Sequence, residues 1–258
     1  MGLNTPVPHR DEPVWSEIAA IPIRDDGEAL VPLGLCTSLD EWPAYFHLGV
    51  PGAVPGCHVR RSVFERLLAA AGLLPAGVRL VVLDAWRPLA VQTYLSANVA
   101  RLLAAQNPEA DPESRQAVAR QFVAPPRGDD APSPHLTGGA VDVALCDAEG
   151  RFLDMGTRFD AVEPASAVAW FESEGLEEAR SRAVRQNRRM LHAVMTSAGF
   201  SSLPSEWWHY DYGNQLWAWT TGHSTARYGA TELALPDTLA KLRHDDACAQ
   251  PLLKGMQR

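Results

Sequence analysis

An apolar run from Val78 to Leu83 ends abruptly at the segment Asp84-Ala-Trp-Arg87, and this junction limits the folds open to the chain. The β-branched residues of the run predict a strand buried within a sheet. Pro88, which follows at once, suits the first turn of a helix because that position needs no backbone N–H. A buried strand that leads directly into a helix predicts a domain in which helices pack on a sheet.

Other segments extend this alternation of strands and helices. Ser62 and Glu65 fit a capping box at the start of a helix whose predicted inner face includes Phe64 and Leu67. Further helices are predicted from Pro88, from Asp111 and over residues 177–198, and further strands over 140–145, 151–155, 206–212 and 215–219. The mixed order predicts an α+β fold with a small antiparallel sheet and helices packed against it.

Length and composition predict one domain and exclude several kinds of partner. The 258 residues suit a single domain, with an arm over residues 1–30 and a weakly patterned tail over about 233–258. A net charge of −8 argues against nucleic-acid and anionic-membrane binding. With no apolar signal segment at the N-terminus, we expect a cytoplasmic protein. The four cysteines include no C-x-x-C pair and are expected to act as small, buried apolar residues. The sequence leaves the oligomeric state open, and a homo-oligomer is possible.

The first polar cluster is Ser133-Pro-His-Leu-Thr-Gly-Gly-Ala-Val-Asp142. Its two glycines allow a sharp turn, through which His135 and Asp142 could converge on one point. An imidazole nitrogen and a carboxylate oxygen together suit a zinc ion. On its own the cluster is weak, since a histidine beside two glycines is usually an ordinary loop residue.

The second cluster, Glu206-Trp-Trp-His209, supplies what a catalytic zinc site would still need. His209 would be a third ligand, which leaves one coordination position for water. Glu206 would be a general base beside that position. Residues 206 and 209 would face opposite sides of an ideal strand, so a bend or a strand end is required between them. An aromatic strand with solvent-facing charges is the alternative interpretation.

The third cluster is Asp84-Ala-Trp-Arg87 itself. Arg87 could be a surface residue, an ion-pair partner of Asp84, or a fixed guanidinium that stabilises an oxyanion in the transition state of amide hydrolysis. The residues alone leave these three roles open.

Taken together, the clusters resemble the zinc D-alanyl-D-alanine dipeptidases of the vancomycin-resistance type. The matching segments are DAWRP, SPHLTGGAVDV, DMGTRFD, QNRRMLHAVMTSAGF and EWWHYDYG, which span residues 78–219 in the order of the family. In the N-terminal part, the chain departs from the family by having CTSLDEWPAYFHLGVPG where some members carry an Asn-Phe-x-Gly segment.

The resemblance implies a role for each polar cluster. It implies one zinc ion per chain and a small dipeptide substrate, with Glu206 as general base and Arg87 as oxyanion stabiliser. It also places Asp84, Ser133 and Asp160 around the substrate, with Asp160 or Glu206 near its ammonium group and Ser133 near its carboxylate. The implied zinc ligands are His135, Asp142 and His209.

Three alternatives to a dipeptidase remain at this point. A D-Ala-D-Ala carboxypeptidase acting on peptidoglycan would share the zinc-peptidase fold that the resemblance implies, although the absence of a signal peptide opposes it. A non-haem iron oxygenase also uses two histidines and a carboxylate, although usually with an H-x-D/E pair. A non-catalytic zinc-binding module of the same fold would have no use for Glu206 and Arg87.

Overall fold

The computed structural model describes residues 2–34, 36–106, 108–109, 111, 131–173 and 175–233. They form an α+β fold, as predicted. The strands are β1 Leu30–Pro32, β2 Asp40–Glu41, β3 His58–Arg60, β4 Val78–Asp84, β5 Ala140–Asp147, β6 Ser201–Ser202 and β7 His209–Asp211. The helices are α1 Trp15–Ala20, α2 Ala44–His47, α3 Arg61–Gly72, α4 Leu89–Gln106, α5 Ala179–Ser197 and α6 Gln215–Thr221.

A five-stranded sheet in the order β2-β4-β5-β7-β6 is the framework of the molecule. Its pairs are antiparallel except for β2 with β4, and a separate antiparallel pair joins β1 to β3. Strand β5 is buried up to its last residue, and β4 is buried from Leu80 to Leu83, which matches their apolar sequences. The register places Asp142 of β5 opposite His209 of β7 on one side and Asp84 of β4 on the other.

Helices α3 and α5 share a core with the central strands. The inner face of α3 consists of Val63, Leu67 and Ala70, so the predicted Phe64 is only partly buried. Helix α5 lies close to the prediction of 177–198, but not all of its arginines are on the outside, because Arg188 is 2% exposed. In the described part of the chain, no helix is both long and apolar enough to cross a membrane.

The predicted strand over residues 215–219 is wrong, because these residues form helix α6. The Asn214 side chain accepts a hydrogen bond from the Trp217 backbone N–H, which caps the helix at its N-terminus. Gly213, with φ 74°, sets the turn into that cap. A Gly-Asn pair that resembles a hairpin turn is therefore the entrance to a helix.

The predicted capping box at the start of α3 is also wrong. Glu65 is exposed, and Glu28 from the N-terminal arm bonds Ser62 instead, at 2.6 Å through the hydroxyl and 2.9 Å through the backbone N–H. The arm is not wholly irregular, since it contains α1, whose Ile18 packs with Leu203 and Leu216. A carboxylate 34 residues away thus replaces the local cap that the sequence indicated.

The remaining predicted elements are partly observed. Asp147 to Gly150 forms a turn, but the return strand over 151–155 is reduced to an isolated bridge between Cys146 and Phe152. Cys57 and Cys146 are buried, as expected, and Cys36 is partly buried. The helix predicted from Asp111 and almost all of the C-terminal tail lie outside the described residues. The division of the chain into a domain, an arm and a tail stays a prediction.

Candidate metal centre and active site

Three ligand-type atoms meet at one point where β5 and β7 lie side by side. His209 Nδ1 lies 3.1 Å from Asp142 Oδ1 and 3.2 Å from His135 Nε2, and His135 Nε2 lies 3.4 Å from Asp142 Oδ1. All three side chains are buried. Within the described residues, this is the one group of His, Cys, Asp and Glu side chains with the spacing of a metal site.

Local backbone structure explains the convergence. Pro134–Thr137 forms a 3₁₀ turn that ends at Gly138, whose φ of 70° favours glycine. A Cβ on the next residue, Gly139, would lie 2.5 Å from the Tyr212 carbonyl oxygen, so only glycine lets β5 begin so close to β7. The two glycines thereby bring His135 back beside Asp142, as predicted.

The three atoms fit a tetrahedral metal ion. Ligands about 2.0–2.1 Å from zinc at tetrahedral angles are separated by about 3.3 Å, close to the three observed distances. The outer nitrogens of the imidazoles have partners that orient the rings: His135 Nδ1 donates to the Ala85 carbonyl oxygen at 2.8 Å, and His209 Nε2 lies 3.1 Å from Asp211 Oδ2. The Asp211 contact is close, but it is not aligned as a hydrogen bond.

The charges around the site favour a cation. Burial alone would raise the pKa of Asp142, but His135 and His209 hold it well below its usual range. Burial alone would lower the pKa of His209, but Asp211 and Asp142 raise it well above its usual range. The site therefore favours positive charge between carboxylates. Where that charge is a proton on His209, metal binding would release it.

Glu206 lies in the turn that precedes β7, which supplies the strand end that the sequence required. Its Oε2 is 3.9 Å from His209 Nδ1, and its side chain is 19% exposed. Burial raises the pKa of Glu206 to about 8, with His209 acting against that rise and Asp142 adding to it. A bound cation would lower this pKa again, since positive charge favours the carboxylate.

Arg87 is fixed on several sides beside the three ligand-type atoms. It donates to Asp84 at 2.8 Å through Nε and to Gln92 at 2.8 Å through Nη1, while Nη2 lies 3.4 Å from Asp142 Oδ2. Its guanidinium also lies over the Tyr45 ring at 4.9 Å. Although burial acts the other way, the pKa of Arg87 is raised by the Asp84 carboxylate, so the side chain keeps its charge.

A cavity of about 270 Å³ joins these groups to solvent. Besides the three ligand-type residues it is lined by Arg87, Glu206, Ser133 and Asp160. Ser133 is 3% exposed, and its hydroxyl has no hydrogen-bond partner among the described residues. Of the predicted site residues, Asp84 is the one that does not line the cavity, because it lies behind Arg87 and His135.

Several residues around the cavity were not predicted from the sequence. Tyr45 lines it from the N-terminal segment that departs from the family pattern, and Gln92 holds Arg87 from the first turns of α4. Asp211 could have been predicted from the sequence, because it lies two residues after His209 on the same strand, and residues two apart on a strand share a face. Tyr45 carried no such signal, since only the tertiary fold brings α2 beside β4.

Comparison with known proteins agrees with this geometry. A family model described as D-ala-D-ala dipeptidase matches residues 54–227. The D-alanyl-D-alanine dipeptidase of Synechocystis is 32% identical over 218 residues, which cover 78% of this chain and 88% of that protein. Those of Escherichia coli and Enterococcus faecium are each 30% identical, over 53% and 61% of this chain and 56% and 76% of the relatives. The chain therefore belongs to the D-Ala-D-Ala dipeptidase family of metallopeptidases.

Proposed function

We propose that this protein hydrolyses D-alanyl-D-alanine to two molecules of D-alanine, with one zinc ion held by His135, Asp142 and His209. The observation that carries this proposal is the convergence of three ligand atoms on the wall of a small cavity, with a carboxylate and a fixed guanidinium beside them. Two imidazoles and a carboxylate are a ligand set of catalytic zinc, which leaves a fourth position open.

In this role, a bound zinc ion supplies Lewis acidity, which lowers the pKa of water and polarises the scissile carbonyl group. Glu206 accepts a proton from the water molecule as the water oxygen bonds to the carbonyl carbon. Glu206 then returns a proton to the leaving amine as the C–N bond breaks. Arg87 stabilises the negative charge that develops on the carbonyl oxygen. The proximity of Glu206 to His209 and of Arg87 to Asp142 supports these assignments.

The cavity suits a short zwitterion. Its volume of about 270 Å³ lies below the roughly 300–1,000 Å³ typical of sites for drug-sized ligands. We assign the substrate's ammonium group to Asp160, with Glu206 nearby, and its carboxylate to the buried hydroxyl of Ser133. Asp84, bonded to Arg87, acts in this scheme by positioning that guanidinium rather than by contacting substrate.

Release of free D-alanine tests the proposal directly. The zinc-loaded protein should release D-alanine from D-Ala-D-Ala and act poorly on a pentapeptide ending in D-Ala-D-Ala, because the internal amide of the pentapeptide leaves the charge of Asp160 without an ammonium partner, and burying an unpaired charge is costly. L-Ala-L-Ala, which has the same length and the same charged termini, is the control for chirality. Comparable efficiency on the pentapeptide would indicate a carboxypeptidase. Metal binding without hydrolysis of any of these would indicate a binding module. The cytoplasmic location remains a separate prediction.

A further inference from the structure

Arg188, in the QNRRM segment of α5, carries a buried charge that the proposed function does not use. Its guanidinium is almost fully buried, and each of its three nitrogens donates to a backbone carbonyl oxygen. Nε donates to Met155 at 2.8 Å, Nη1 to Ala167 at 2.6 Å and Nη2 to Ala165 at 2.7 Å. Neutral carbonyls compensate a buried cation only in part, so its position needs an explanation.

The three acceptors lie at both ends of one loop. Met155 stands before residues 156–164, and Ala165 and Ala167 stand directly after them. The segment 156–164, which we name the amine loop, carries Asp160 and Val162 into the cavity wall. A single guanidinium therefore closes the base of the loop that presents the proposed ammonium-binding carboxylate.

The amine loop is also held between its base and its tip. Ser166 Oγ donates to the Ala161 carbonyl oxygen at 2.7 Å, and Trp207 Nε1 donates to Thr157 Oγ1 at 2.8 Å. Asp160 is in the left-handed region with φ 62°, a conformation that a non-glycine residue keeps only when its surroundings impose it. A shift at the base would therefore reach Asp160 rather than dissipate along the loop.

We propose that Arg188 is a positioning residue for substrate recognition, which fixes Asp160 against the substrate's ammonium group by holding both ends of the amine loop. This inference rests on the proposed function. The planar guanidinium suits the task, because it directs several N–H groups at acceptors in fixed directions, whereas a lysine ammonium is a single point charge on a flexible stem. Arg188→Lys should keep the charge and lose the geometry.

Hydrogen exchange tests the structural half of the proposal without any substrate. In zinc-loaded Arg188→Lys, the backbone amides of residues 156–163 should exchange faster by on the order of 10-fold, because the base of the amine loop is loosened. Arg185→Lys is the matched control: Arg185 lies on the same helix and donates to two carbonyls, those of Phe171 and Leu176, outside the amine loop. Unchanged exchange in the amine loop, or an equal change in both variants, overturns the proposal.

Kinetics test the recognition half. Arg188→Lys should raise KM for D-Ala-D-Ala on the order of 10-fold, with kcat within about 2-fold, because the reacting groups stay in place. Combined with Asp160→Asn, it should raise KM little beyond Asp160→Asn alone, since both changes remove the same contact. Additive effects, or a fall in kcat with unchanged KM, overturn the proposal.

Two further arms keep the outcome unambiguous. If Arg188→Lys does not fold, Ser166→Ala replaces it. This change removes the hydrogen bond to the Ala161 carbonyl oxygen and the 3.3 Å contact with Thr157 Oγ1, both to the amine loop, and should shift exchange and KM in the same directions. An unchanged KM in Asp160→Asn overturns the inference even if exchange changes. Absence of D-alanine release by the unsubstituted, zinc-loaded protein overturns the proposed function instead.

Discussion

The two sides of the cavity are built differently. On the metal side, Asp142 and His209 are cross-strand neighbours in the central sheet, so the backbone register places them side by side. On the recognition side, Ser133 and Asp160 lie outside the strands, and the Asp160 loop is held by side chains from distant parts of the chain. The difference teaches that sheet pairing brings two of the three metal-ligand candidates together, whereas the loop that carries Asp160 depends on side-chain bonds that are changed more easily.

Removing a ligand from the metal side should have the largest effect. We expect His209→Ala to weaken zinc binding by more than about 100-fold, beyond the loss seen for outer partners of metal ligands, and to abolish turnover with it. Elemental analysis of the purified variant measures the metal content. His9→Ala, which removes an exposed histidine, is the control. Full zinc retention in His209→Ala would remove this residue from the ligand set.

Glu206→Gln should separate chemistry from metal binding on that same side. The amide keeps the size of the side chain but accepts no proton, so turnover should fall by about 10²–10⁴-fold while zinc and dipeptide still bind. Zinc content, dipeptide affinity and turnover are measured on one preparation, with Glu149→Gln at an exposed site as control. Loss of zinc together with activity would make Glu206 a ligand or a support.

Arg87→Ala should have a somewhat smaller effect. Loss of one oxyanion donor lowers kcat by about 10²–10³-fold, and Arg87→Lys should restore little because lysine lacks the planar fork that engages Asp84 and Gln92. Steady-state kinetics on D-Ala-D-Ala measures the change. Near-normal turnover in Arg87→Ala would leave Arg87 a purely structural partner of Asp84.

Ser133→Ala tests whether the recognition side acts separately. Losing one hydrogen bond to a charged group, about 1.5 kcal/mol, should raise KM by about 10-fold with little change in kcat. Ser201→Ala is a matched control, since Ser201 is likewise buried with no hydroxyl partner among the described residues but does not line the cavity. A fall in kcat with constant KM would break the division between the two sides.

The smallest effect is expected on stability, at the Glu28 contact that caps α3. Glu28→Gln should lower the free energy of unfolding by about 1 kcal/mol, while Glu65→Gln, at the exposed position of the predicted capping box, should change it little. Despite partial burial, hydrogen bonds from Ser62 and Tyr228 lower the pKa of Glu28 below its ordinary value of 4.5. Its contribution is therefore complete above pH 4.5 and lost as pH falls through the lower folded pKa. Denaturant unfolding from pH 7 to pH 3 should show the stabilities of Glu28→Gln and the unsubstituted protein converging as pH falls. A stability difference independent of pH would contradict this prediction.

The features that could be predicted from the sequence are those that depend on local signals. The strands at β4 and β5, the helix α5 and the convergence of His135 with Asp142 could be predicted, because apolar periodicity and paired glycines are local signals. The cap by Glu28, the stacking of Tyr45 on Arg87 and the burial of Arg188 could not, because each contact joins segments far apart in the chain. The wrong strand at 215–219 had a local cause, since Gly213-Asn214 suits a hairpin turn and a helix cap equally well.

The register between β5 and β7 also bears on how the metal is exchanged. These strands are held by a hydrophobic core that includes Val141, Val143 and Tyr210 and does not involve the metal ligands. Domains whose metal binding is coupled to folding lose their structure on chelation, because no preformed site exists without the metal. Here the apo form should retain its cooperative unfolding and accept a different divalent ion at the same three atoms. Cobalt could then serve as a spectroscopic reporter of ligand geometry throughout the catalytic cycle.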